Sequence, residues 1–273
     1  MLNSSKCDPV NFSTIASIYE NFSLVQKSAA DILIKLLEIK EEDDVLDLGC
    51  GTGNLTYKIK EITKGSVVGV DPSEEMINKA LKKNNPEITF RVGNAEALTF
   101  TSEFDVIFCN SAFQWFSHPE EALKRCYAAL KKNGRIGIQA PAKKVYCPNF
   151  LKAMERVKEA PETKAIFANF KPLWIFFETK AEYNELFERA GFKTAFSKIE
   201  SIKIEYTPEE VFRIFSSGAI AGYLNQDFYG IELSIEYMDN FRKIVRDAFI
   251  EQANNQGKVE LIFNRIFLVA MKE

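Results

Sequence analysis

The chain has 273 residues, 46% of them hydrophobic and 27% charged, which excludes disorder and allows one well-buried core with an appended lobe. A net charge of −3, with 35 basic residues spread among 38 acidic ones, offers no positive field for a phosphate backbone, so no nucleic-acid partner is expected. Five cysteines, at 7, 50, 109, 126 and 147, form no C-x-x-C pair, which argues against a disulfide framework, a zinc knuckle or any other metal site.

In chain order, the opening "MLNSSKCDPVNF" lacks the basic flank and apolar run of a secretory signal. No apolar run reaches the ~18 residues of a bilayer span, so a cytoplasmic location without a membrane partner is expected. Apolar residues then recur at helical spacing from Phe12 to Leu37, and residues 1–39 read as a helical arm of one or two helices. At "DDVLDLG" the period changes to that of a short buried strand. A helix over 54–62, a Lys64-Gly65 break and the strand "SVVGVD" follow. The alternation continues with a helix at 73–83, strands at 88–92 and 104–109, a helix at 119–131, an Asn133-Gly134 turn and the strand "RIGIQA". Strands alternating with helices require crossover connections and a parallel sheet. The Ser117 to Glu120 spacing predicts a capping box for the helix at 119.

After Pro141 the rhythm breaks. Residues 142–172 read as a helical cap insertion interrupted by Pro161 and Pro172, and 173–205 as the core resumed through a helix at 180–190 and a strand at 194–206. Residues 206–257 read as a second cap insertion, opened by Thr207 as N-cap with Pro208 at the first helical position. Its Gly-punctuated segment "SSGAIAGYLNQDFYG" is either a specificity element or a helix-helix turn. Residues 258–273 suit a final strand or hairpin.

The stretch "VLDLGCGTGNLT" places Gly49, Gly51 and Gly53 directly behind a strand. Glycine there allows close approach of a ligand to the backbone N–H groups at a helix start. In a dinucleotide fingerprint the third glycine would fall on Asn54, which counts against a nicotinamide cofactor. Instead Asp47 stands ahead of the loop, suited to an amino group rather than a pyrophosphate. Asp71 ends the second strand, where a carboxylate can accept from vicinal ribose hydroxyls; by itself it also reads as a helix N-cap before Pro72.

Together "VLDLGCGTGNLT", "VVGVDPSEEMI", "GNAEAL" and "FDVIFCNSAFQWF" resemble the successive motifs of class I methyltransferases that use S-adenosylmethionine. The resemblance covers roughly residues 40 to 140. It implies a Rossmann-like, doubly wound, mostly parallel seven-stranded α/β sheet with a helical cap lobe. It places Asp47, Gly49, Cys50, Gly51 and Gly53 beneath the methionine part of the cofactor, Asp71 with Pro72 at the ribose, and Met76 over the adenine. Asn94, Ala95 and Glu96 stand at the adenine edge; Asn110 and Ser111 stand near the cofactor's amino group and the substrate. Asn94 occupies a position where aspartate is often found. On the arm, Tyr19 is a cap over the sulfonium through cation-π attraction.

The arm and "SAFQWF" are similar to those of the trans-aconitate, malonyl-acyl-carrier-protein and juvenile-hormone-acid carboxyl methyltransferases. That likeness implies that Gln26 and Trp115 hold the carboxylate of a small organic acid; read alone, they are equally a solvated helix residue and a core aromatic. Transfer from a sulfonium to an ionised acceptor needs no base, and the chain has one histidine, His118. The expected activity is therefore carboxyl O-methylation, leaving S-adenosylhomocysteine, with no residue singled out as catalytic. N-methylation, phenol methylation and cofactor binding without catalysis stay open, because these motifs read the cofactor and not the acceptor.

Overall fold

The structure, a computed structural model, describes residues 24–83 and 85–273, with side chains described from Ala29 onward. Tyr19 and the side chain of Gln26 lie outside the described residues. Within them, α1 spans Leu24–Leu37, β1 Val45–Leu48, α2 Asn54–Lys60, β2 Val67–Asp71, α3 Glu74–Leu81, β3 Ile88–Val92 and β4 Phe104–Asn110. Next come α4 Pro119–Ala129, β5 Leu130–Pro141, α5 Pro148–Glu159, α6 Lys164–Phe167, α7 Lys180–Arg189 and β6 Lys193–Tyr206. The chain closes with α8 Pro208–Ser216, α9 Ala219–Tyr223, α10 Ile235–Glu251 and β7 Val259–Met271.

Among the described residues the strands form one seven-stranded sheet in the order β3-β2-β1-β4-β5-β7-β6. β1 to β5 pair in parallel, and β7 runs antiparallel to β5. The strand order reverses between β1 and β4, so the carboxyl ends of these strands diverge there and open a crevice. Side chains alternate across the sheet. Leu46, Leu48, Ile107, Ile138, Ile266 and Leu268 pack on one face with residues of α4 and α7. Val45, Val67, Val106, Phe108 and Phe267 pack on the other with Ala29, Ala30, Leu33 and Leu37 of α1. Both faces are dry, and each fully buried aliphatic side chain contributes about 2 kcal/mol.

The chain divides into two compact units, the division falling within β6 and β7. One holds Leu24–Tyr146, Trp174–Ser201 and Asn264–Glu273; the described residues of the other are Cys147–Leu173 and Ile202–Phe263. The second unit has an aromatic interior in which Phe150, Phe215, Phe241 and Phe249 are buried. Phe215 stacks on Tyr223 at 5.8 Å, and the Tyr229 hydroxyl donates to the Tyr223 carbonyl at 2.6 Å. The 216–230 segment is thus part of this core.

Most elements expected from the sequence are present, with two corrections. The helix expected over 119–131 ends at Ala129, because Leu130 is drawn into β5 opposite Phe104 and the sheet bulges before Val106 meets Arg135. Its N-cap is His118, with no side-chain cap bond, rather than a Ser117–Glu120 box. Pro119 at the first helical position has no N–H to satisfy, and the Glu120 carboxylate is held by Lys124 and Arg189. The expected cap at Thr207 is present as a full box with Glu210.

Candidate active site

The site grows from the turn after β1. Gly49, Gly51 and Gly53 all have positive φ, at 79°, 55° and 77°, which a side chain would strain. A Cβ on Gly49 would lie 2.3 Å from the Ala112 Cβ. One at Gly53 would meet the Phe90 ring at 2.8 Å. The loop is tied down by Gly49 N–H and Cys50 N–H, both donating to the Val70 carbonyl at 2.8 and 3.1 Å.

Asp71 fastens this loop to the next. Its Oδ2 accepts from Gly51 N–H and its Oδ1 from Ser73 N–H, each at 2.9 Å. It is not the helix cap; Ser73 caps α3 by accepting from Met76 N–H at 3.3 Å. Each Asp71 oxygen keeps a further lone pair for a ligand. Burial raises the Asp71 carboxyl above its ordinary range, opposed by those two backbone donors.

Asp47 is 2% exposed and accepts from Thr56 Oγ1 at 2.6 Å. Burial raises its carboxyl, the Thr56 bond offsets part of that rise, and the Asp71 charge adds to it, leaving it at about 7. Thr56 escaped sequence reading because only the turn of α2 reveals that it faces Asp47. Neither carboxylate has an ion-pair partner among the described residues.

The far wall of the crevice is amide-rich. Asn110 is buried at the end of β4, and its Oδ1 has no hydrogen-bond partner among the described residues. Ser111 has φ 58°, a left-handed conformation that costs a non-glycine residue about 1–2 kcal/mol. It is held there by Gln139, whose carbonyl accepts Ser111 N–H at 2.7 Å and whose Oε1 accepts the Ser111 hydroxyl at 3.0 Å. Gln114 Nε2 donates to the Ser111 carbonyl at 2.9 Å, and its buried Oε1 is left without a partner among the described residues. Gln114 and Gln139 were not expected; their place follows from register and turn geometry, which no local motif signals. Alternation puts Asp47, Asp71, Asn110 and Gln139 on one face, with Asp47 opposite both Gly69 and Phe108, and Asn110 opposite Gln139.

The other expected residues are placed as follows. Met76 and Ala95 are buried, at α3 and at the short turn of 95–97. Pro72 bridges Asp71 to the Ser73 cap. Asn94 is exposed, and its Oδ1 caps that turn by accepting Ala97 N–H at 2.9 Å, so its amide Nδ2 is the group left to meet a ligand. The Glu96 carboxylate accepts His118 N–H at 3.2 Å. Trp115 is half-buried and meets Trp174 edge to face at 5.8 Å. Burial pushes the Cys50 and Cys109 thiols well above their ordinary range, which leaves them protonated and poor metal ligands. No metal-holding cluster occurs among the described residues, and no helix there is long and apolar enough to cross a membrane.

Two buried carboxylates without a counter-ion, beside a buried carbonyl oxygen without a donor, are costly unless a ligand brings positive charge and N–H or O–H groups. The sulfonium, ammonium and ribose diol of S-adenosylmethionine fit that demand. Asp47 and Asn110 would hold the ammonium, Asp71 the diol, and the bare backbone of the glycine turn the methionine part.

A family model described as a methyltransferase domain matches residues 45–134. A malonyl-[acyl-carrier protein] O-methyltransferase of Priestia megaterium is 30% identical over 209 residues, covering 72% of this chain and 74% of that protein. Matches to two further malonyl-[acyl-carrier protein] O-methyltransferases span about half the length of those relatives. A trans-aconitate 2-methyltransferase of Deinococcus radiodurans is 30% identical over 45% of this chain and 48% of its own. Among solved structures, the YcgJ protein of Bacillus subtilis has the same fold, with a TM-score of 0.58 at 20% identity over 90% of this chain and 99% of that one. By its motifs, its fold and these relatives, the chain belongs to the class I S-adenosylmethionine-dependent methyltransferases.

Proposed function

We propose that this enzyme methylates a carboxylate oxygen of a small organic acid. The observation that carries the reading is the protonation chemistry around the crevice. The chain's single histidine, His118, is exposed and serves as the N-cap of α4, its backbone N–H donating to Glu96. The thiols of Cys50 and Cys109 are held protonated by burial, and Asp47, bonded to Thr56, would be taken by the cofactor's ammonium. An acceptor that arrives already ionised needs no proton taken from it, whereas a phenol or an ammonium does.

The cofactor would supply an electrophilic methyl group to the acceptor oxygen in exchange for its bond to sulfur, a transfer that balances as a neutral thioether and an ester with no proton moved. The chain's part is to orient and to exclude water. Trp115 and the amides of Gln114 and Gln139 stand beyond β4 and along β5, where N–H donors suit an anionic oxygen. The curated relatives named above, an O-methyltransferase of malonyl-[acyl-carrier protein] and a trans-aconitate methyltransferase, support the same acceptor class.

Incubation with methyl-labelled S-adenosylmethionine and a panel of carboxylic acids, phenols and amines tests the reading. A base-labile methyl ester is the expected product. Label found only on phenols or amines would sink it.

A further inference from the structure

Beyond the crevice, the same face of the sheet carries one more polar group that the cofactor does not use. Arg265 lies in β7, where alternation places it with Phe267 and Val269 on the face that also bears Asp47, Asn110 and Gln139. Gln139 stands opposite Phe267 and Pro141 opposite Arg265. Arg265 is thus two residues further toward the carboxyl end than Gln139, and its Cα is about 12 Å from that of Asn110 by strand spacing.

The Arg265 side chain is 4% exposed, and its guanidinium is incompletely answered. Nε and Nη2 both donate to the same oxygen of Glu200, at 3.1 and 2.9 Å. The buried Nη1 has no partner among the described residues. The other Glu200 oxygen is held by Lys198 at 3.3 Å, so the Lys198–Glu200–Arg265 group carries one net positive charge. The guanidinium carbon is fixed 4.9 Å over the Phe267 ring. A buried, positioned guanidinium nitrogen with no acceptor carries a large desolvation penalty unless an anion completes it.

The row from β2 to β7 therefore runs from two carboxylates, through two amides, to a guanidinium. A cationic cofactor at one end and an anionic acceptor at the other match that sequence of charge. The helix α1 lies on this face too. Arg135, six residues before Pro141 on β5, donates to the Leu37 and Glu38 carbonyls at the C-terminal end of α1.

We propose that Arg265 is the receptor for a second anionic group of the acceptor, remote from the carboxylate that is methylated, and hence that the natural acceptor is a dicarboxylate or a like dianion. This rests on the carboxylate reading of the site. A group bound away from the reacting oxygen holds that oxygen in line with the methyl group without quenching its nucleophilicity.

The test is calorimetric titration of the protein, loaded with S-adenosylhomocysteine, with succinate, glutarate, adipate and suberate, and with the half-amide of each. At least one diacid is expected to bind about tenfold or more tightly than its half-amide. In Arg265→Gln that gap closes to within about twofold, and in Arg265→Lys, which keeps the charge but not the planar fork, it narrows. Equal affinity for each diacid and its half-amide, no binding of any of them, or a gap that survives Arg265→Gln overturns the proposal. Should Arg265→Gln fail to fold by circular dichroism, the wild-type gap and Arg265→Lys decide. Turnover is read separately: methyl ester formed on monoacids as readily as on diacids keeps the carboxylate reading and removes this one, whereas tight diacid binding with no ester formed removes the carboxylate reading and with it the claim on the acceptor, leaving Arg265 an anion site only.

Discussion

The two ends of one sheet treat charge in opposite ways. At the amino ends Asp44 takes Lys131 at 2.6 Å and Ser66 N–H at 2.8 Å. Burial alone would raise its carboxyl, but these donors outweigh it and hold it below its ordinary range. Beside it Arg135 joins Asp43 at 2.7 Å to the carbonyls that end α1. Three residues on, at the carboxyl end of β1, Asp47 has no such partner and rises to about 7. One end is assembled for stability; the other holds polar groups in deficit, which is how a preorganised site is built before its ligand arrives.

Breaking the carboxyl end should cost binding. Asp71→Ala removes the acceptor for Gly51 and Ser73 N–H together with the proposed ribose acceptor, and cofactor affinity is expected to fall ~100-fold or more, about 3 kcal/mol, by calorimetry. An affinity within a few-fold of wild type would leave the ribose assignment without support. Breaking the amino end should cost stability instead. Arg135→Ala leaves Asp43 partly buried and two carbonyls without a donor, for about 2–3 kcal/mol in denaturant unfolding, with cofactor affinity unchanged.

The comparison sharpens at Asp47. Asp47→Asn keeps an acceptor for Thr56 but removes the buried charge, so cofactor affinity should fall about tenfold while Tm of the ligand-free protein at pH 8 rises by ~2–6 °C. The sign follows from linkage. A carboxyl whose folded pKa lies above its ordinary 3.8 gives its full stability below that value and loses it as pH climbs toward 7. A loss of both stability and affinity in Asp47→Asn would mean the carboxylate is structural. The smallest effect is expected for Lys131→Ala. About a third of this lysine and of its two carboxylate partners is open to water, so screening leaves about 0.5–1 kcal/mol of stability and no change in binding.

What could be read from the chain divides along a physical line. The glycine turn, Asp71 and the strand-helix alternation were legible because backbone conformation and local period leave marks on adjacent residues. Thr207, with Glu210 three positions later, marked its helix for the same reason. Gln139 and Arg265 left no such mark. Each sits in an ordinary strand pattern, and only the register of β4 with β5 and of β5 with β7 brings them to the row that begins with Asp71. The Ser117–Glu120 spacing misled because Glu120 is claimed by Arg189, 69 residues away. Asn94 was expected at the adenine edge, but its capping of Ala97 N–H depends on a turn visible only in the fold.

The central claim is that buried carboxylates at the carboxyl ends of β1 and β2 are held in readiness for a cationic cofactor. Calorimetric affinity for S-adenosylhomocysteine across pH 5.5 to 8.5 tests it most directly, because the ligand's ammonium keeps its charge while Asp47 titrates. Affinity should be level above about pH 7 and fall below it, approaching tenfold per unit, and this dependence should be absent in Asp47→Asn. A flat profile in the wild type, or the same slope in both proteins, would contradict the account.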